Sequence, residues 1–135
     1  MFVPVMKMLR SFWKVGFWLV AITVLSCMPA HDFIKPSFLN IPNLDKFVHF
    51  LMYSIFSYLL IQGLLRQIPT GKHEFLIIIA FVISSIYGLL MEIAQLWIFT
   101  SREADILDMA FNITGAIAGI IIFENIFLTG KKNRF

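Results

Sequence analysis

The chain reads as an all-α integral membrane protein, a four-transmembrane-helix bundle with both termini cytoplasmic, and three observations predict it. Of its 135 residues, 59% are hydrophobic and only 14% charged, where soluble domains carry roughly 25% charged residues. The apolar residues fall into four uninterrupted runs, not the alternating ~10-residue segments of barrel strands. Lys and Arg gather on one side of the topology that those runs define.

A helix rises ~1.5 Å per residue, so about 20 apolar residues cross a ~30 Å hydrocarbon core. The first predicted span covers residues 12–28 and stops at Pro29. The second covers 47–65, ahead of Arg66. The third and longest covers 75–99, and the fourth covers 106–128, before the basic tail KKNRF. The connection over residues 29–46 contains Pro29, Pro36 and Pro42, which bar a regular helix. Length and run spacing leave room for one membrane domain, residues 1–135, and for no separate soluble one.

With the N-terminus inside, Lys7, Arg10, Lys14, Arg66, Lys72, Lys131, Lys132 and Arg134 lie on the inner side, and Lys35, Lys46 and Arg102 on the outer side. Basic loops stay cytoplasmic, so this asymmetry places both termini inside the cell. The net charge of +3 is thus a matter of topology and not a nucleic-acid surface. A single cysteine, Cys27, excludes an internal disulfide and any cysteine-rich metal site. The run ending Val24-Leu25-Ser26-Cys27 also has the look of a lipoprotein cleavage site. Retention of the first helix is the preferred reading.

Polar residues are expected at one depth. Asp45, His49 and Tyr53 follow i, i+4, i+8 spacing in the outer half of the second span; Gly88, Glu92 and Gln95 follow i, i+4, i+7 near the outer end of the third. Asp105, Asp108, Asn112, Gly115 and Gly119 continue such a face on the fourth. Glu92 lies seven residues before Phe99, ~10 Å from the outer end. Charge at a helix centre costs ~2.5–3.5 kcal/mol on insertion scales, so these faces should turn toward one another, with His49 and Arg102 as cationic partners for the carboxylates.

The motifs D-K-x-x-H-x-x-x-Y at Asp45 to Tyr53, Y-G-x-x-x-E-x-x-Q at Tyr87 to Gln95, and R-x-x-D-x-x-D-x-x-x-N-x-x-G at Arg102 to Gly115 resemble those of the VanZ-like family of small bacterial membrane proteins. The resemblance covers residues 12–125. It implies a four-helix protein of the bacterial cytoplasmic (inner) membrane, and its name comes from a protein associated with low-level teicoplanin resistance. Every motif residue is present.

These residues outline an outward-facing polar pocket. His49 and Glu92 are the candidate catalytic pair, since a His beside a carboxylate can exchange protons. Asp45, Tyr53, Gln95, Arg102, Asp105, Asp108 and Asn112 are candidate ligand contacts. Arg102 would grip an anionic group, and Asp45 would orient His49. Gly88, Gly115 and Gly119 read as helix-packing positions. The resemblance favours a lipid or cell-envelope precursor head group as ligand.

Each assignment has a plainer counterpart. Asp105 and Asp108 also suit helix N-terminal capping, Asn112 and Gln95 suit interhelical hydrogen bonds, and Tyr53 and Tyr87 suit interfacial aromatics. Trp97 and Trp13 look like outer and inner belts. Glu103 falls off the shared face. Glu124 would snorkel toward Lys131 and Lys132, and His31 and His73 sit in loops. No nucleophile elbow, phosphate loop or HExxH helix is present. No metal and no cofactor is expected, and the bilayer is the one certain partner. A non-enzymatic scaffold, whose polar residues only specify packing, is the first alternative. A small transporter is the second, against which the inner halves LIIIAFVIS and IAGIIIF lack charged residues. Oligomeric state is left open, because GxxxG serves contacts within or between chains.

Overall fold

Within a bilayer every backbone polar group must be satisfied inside its own segment, which uninterrupted apolar runs achieve as helices. The computed structural model describes residues 2–27, 43–69, 72–98 and 106–132, and it forms four helices from them. They are α1 (Phe2–Ser26), α2 (Leu44–Gln67), α3 (His73–Ile98) and α4 (Ile106–Lys132). Each is long and apolar enough to cross a membrane. The chain is an integral, multi-pass membrane protein, as its composition predicts.

Helix bounds differ from the sequence expectation most at α1, which begins ten residues earlier. Pro4 falls in its first turn, where the missing N–H costs nothing. Lys7 and Arg10 are therefore helical residues and not a preceding tail. Asn43, at φ 61°, takes the left-handed conformation just ahead of α2, a region that Asn tolerates better than most residues. Asp45 in the first turn and Arg66 in the last complement the α2 dipole. The helix closes with Ile68 N–H donating to Leu64 O at 2.8 Å, one residue before Pro69.

α2 is the central element. It touches all three other helices and makes its most extensive contact with α4. Its inward face carries Lys46, His49, Tyr53, Phe56, Leu60 and Leu64, all buried. The outward faces of the bundle are large and apolar, with Phe17, Ile86 and Ile121 exposed, as suits a protein solvated by lipid tails.

The α2–α4 seam is close because α4 presents no side chain at two points. A Cβ on Gly115 would lie 3.0 Å from Phe50 Cα, and one on Gly119 would lie 2.8 Å from the Ser54 carbonyl carbon. These glycines therefore serve contacts within the chain. Across the same seam Ser54 Oγ donates to Gly115 O and Ser57 Oγ donates to Ala116 O, each at 2.9 Å. Ser57→Ala should lower stability by only about 0.6 kcal/mol, the average for such bonds in membranes. Unfolding in a denaturing-detergent titration would measure it, and a loss several times larger would mean that the hydroxyl does more than join two helices.

α1 rests on α2 through Phe12, whose ring lies where a Gly63 side chain would be, 2.7 Å from that Cβ position. Trp18 Nε1 donates to Met52 O at 2.9 Å. The helices run antiparallel in sequence order, so Ser26, Lys46, Gln95 and Asp108 share one end of the bundle. At the opposite end Lys7 Nζ donates to Gln67 O at 3.4 Å, and His73 Nε2 meets Glu124 Oε1 at 2.5 Å. His73 is the first residue of α3, not a loop residue, and Glu124 is engaged by His73; the side chains of Lys131 and Lys132 lie outside the described residues. The His73 ring also stacks on Phe127 at 4.8 Å.

Candidate functional site

A carboxylate, an imidazole or an ammonium within an apolar bundle is stable only where other polar groups replace its water. Three helices supply those groups at the Ser26–Lys46–Gln95–Asp108 end. α2 contributes Lys46, His49 and Tyr53 at i, i+3, i+7; α3 contributes Glu92 and Gln95; α4 contributes Asp108 and Asn112. All seven are buried, with relative exposures between 1% for Tyr53 and 8% for Lys46.

Lys46 Nζ pairs with Asp108 Oδ1 at 3.3 Å and with Asp45 Oδ2 at 3.4 Å. The Asp108 side chain is 6% exposed and the Asp45 side chain 55%, so the first pair is an interior one and the second faces outward. Asn112 is the hinge of the next group. Its Oδ1 lies 3.0 Å from His49 Nδ1, and its Nδ2 donates to Glu92 Oε1 at 3.4 Å. An amide with oxygen toward the ring and nitrogen toward the carboxylate makes Nδ1 the donor. In the neutral imidazole the other nitrogen, Nε2, then carries the lone pair. His49 Nδ1 is itself 4.0 Å from Glu92 Oε1.

His49, Glu92 and Asp108 offer atoms that all lie within 4.8 Å of one another. Such a set is what a cation would need, although no metal is expected from the sequence. Lys46, with its ammonium 3.3 Å from Asp108, already supplies positive charge there. The arrangement is a buried network of ion pairs and hydrogen bonds.

Not every sequence-stripe residue joins it. Asp45 is exposed and bonds Lys46; the group bonded to His49 is Asn112. The inward stripe of α2 starts at Lys46, one residue on from the expected Asp45. Gln95 reaches away from the carboxylates, with Nε2 donating to Ser26 O at 2.8 Å and so tying α3 to α1. Tyr87 also faces α1, sharing a 2.7 Å hydrogen bond with Thr23 Oγ1. Tyr53 stays with the cluster. Its hydroxyl is buried without a hydrogen-bond partner among the described residues, and its ring and Asn112 both lie 3.2–3.3 Å from the Cβ position of Gly88. Gly88 thus keeps open the space that those two side chains fill. Arg102, Glu103 and Asp105 lie outside the described residues. Trp97, 83% exposed, sits at the cluster end of α3.

Sequence reasoning undervalued Lys46, although the i, i+3, i+7 spacing of Lys46, His49 and Tyr53 was available to find it. It also passed over Ser54 and Ser57, since serine in a membrane helix carries no signal that separates an interhelical donor from one bonded to its own helix.

Neither the curated proteins nor the solved structures yield a significant match. Across residues 1–128, however, the sequence matches VanZ/LLP1, a span that contains all four helices' apolar segments and every member of the buried polar cluster. The chain belongs to the VanZ/LLP1 family.

Proposed function

We propose that this protein sits in the bacterial cytoplasmic membrane with both termini inside, and that its polar cluster binds the head group of a lipid or lipid-linked envelope precursor at the outer leaflet. The orientation rests on the excess of Lys and Arg at the opposite end of the helices. The observation that carries the ligand reading is the Tyr53 hydroxyl, buried with no hydrogen-bond partner among the described residues. A polar core that only fixes packing satisfies its own members; one that awaits a ligand leaves an acceptor or donor open.

Lys46 and Arg102 would face an anionic group, Arg102 through paired hydrogen bonds. His49 Nε2 would accept a proton and Glu92 would serve as a second acceptor, with Asn112 fixing both. Asp105 and Asp108 would complete the polar wall. The family's association with teicoplanin resistance supports the cell envelope as the setting. The packing-only reading draws on Asn112 and Gln95, both of which find protein partners.

His49→Ala and Glu92→Gln separate the two. Expressed in a teicoplanin-tested host, each should abolish the envelope phenotype and the lipid that copurifies with the protein, while membrane abundance stays within about twofold of wild type. Abundance that falls in step with the phenotype would instead assign these residues to helix packing.

A further inference from the structure

Between α3 and α4, below the polar cluster, runs a groove of about 220 Å³. α3 contributes Ser85, Gly88 and Leu89 to it, and α4 contributes Met109, Asn112 and Ile113. Ser85 and Gly88, small residues at i, i+3 spacing on α3, both line it. Its rims, Ile86, Leu89 and Ile113, are exposed on the outside of the bundle, so it opens sideways to the membrane. Ser85 lies seven residues before Glu92, ~10 Å deeper along the helix, at the level of hydrocarbon.

Two polar side chains stand in this otherwise apolar lining. Asn112 belongs to both places: it walls the groove and it bonds His49 and Glu92. Ser85 Oγ is buried without a hydrogen-bond partner among the described residues. Apolar walls alone would fit any lipid tail. Apolar walls that lead to an amide joined to a buried His and Glu fit a molecule with a chain at one end and an oxygen-rich head at the other.

We infer that an amphiphilic membrane lipid reaches the cluster sideways from the bilayer, laying one acyl chain along the α3–α4 groove with its head group against Asn112. This rests on the head-group reading above and adds the route and the class of ligand. A single chain is specified because the groove, about 220 Å³ between two helices, is small.

The test uses the full-length protein in phosphatidylcholine vesicles containing phosphatidylglycerol with a diazirine in one acyl chain. After photolysis, Met109 and Ile113 should be labelled about fivefold more than Ile121, an exposed residue elsewhere on α4. Ser85→Trp, which fills the groove, should bring them down to the Ile121 level. In the wild-type protein, which avoids any folding defect of that variant, excess unlabelled phosphatidylglycerol should compete and headless hexadecane should not. Equal labelling of Ile113 and Ile121, or competition by hexadecane, would overturn the inference. Enriched groove labelling that His49→Ala and Glu92→Gln leave unchanged would retain the groove as a chain site and overturn the head-group reading instead.

Discussion

Lys46→Met should destabilise the bundle by about 3–5 kcal/mol, the cost of leaving one partner of a buried ion pair uncompensated. The interior regime applies because the Lys46 and Asp108 side chains are 10% and 6% exposed; an exposed pair would contribute only about 0–1 kcal/mol. Among the described residues Asp108 accepts from Lys46, so Lys46→Met/Asp108→Asn removes both charges together and should recover more than half of the loss. Unfolding followed by tryptophan fluorescence in detergent micelles reads both variants. A single substitution costing less than about 1 kcal/mol would place the pair in water rather than in the bundle.

Gly119→Val should be the most damaging single change outside the polar cluster. Its Cβ would meet backbone, with the Ser54 carbonyl carbon at 2.8 Å, and backbone cannot turn aside as the end of a side chain can. Overpacking commonly costs about 1–3 kcal/mol and occasionally more, and here the clash separates α4 from α2 along the seam that holds the bundle. Gly16 is the control, since nothing lies within 4 Å of its Cβ position, and Gly16→Ala should be neutral or slightly stabilising through helix propensity. Membrane abundance and thermal unfolding would show the contrast. Equal tolerance at both positions would mean that α2 and α4 are held apart in the bilayer.

The fold was legible because the strongest physical signal in the chain, twenty-odd apolar residues in a row, is also the one that a bilayer demands. The ends of the helices were less so. Lys7 and Arg10 look like a soluble leader by charge, yet a helix already nucleated by an apolar run extends through them at little cost. The polar cluster was legible in outline, since His49, Glu92, Asp108 and Asn112 share a depth and a helical phase. Its wiring was not. Whether Asp45 or Lys46 turns inward depends on one residue's rotation, 100° of helix, and motif spacing tolerates either. Nor can a sequence say that His73 and Glu124, 51 positions apart, meet at the other end, because that follows from how α3 and α4 pair.

The hydrogen bonds that join helices fall into two kinds with different evolutionary freedom. In one kind, Trp18, Ser54, Ser57 and Gln95 each donate to a main-chain carbonyl of a neighbouring helix. The acceptor is then present whatever residue stands at the receiving position, so Met52 or Ala116 can drift in identity, within limits of size, without loss of the bond. In the other kind both ends are side chains: Lys46 with Asp108, His49 with Asn112 and Asn112 with Glu92 in the cluster, and Thr23 with Tyr87 and His73 with Glu124 outside it. There a change at one position strands its partner, and the two can change only together. The bundle thus combines main-chain-anchored contacts that tolerate independent substitution with a small set of side-chain partners bound to vary together.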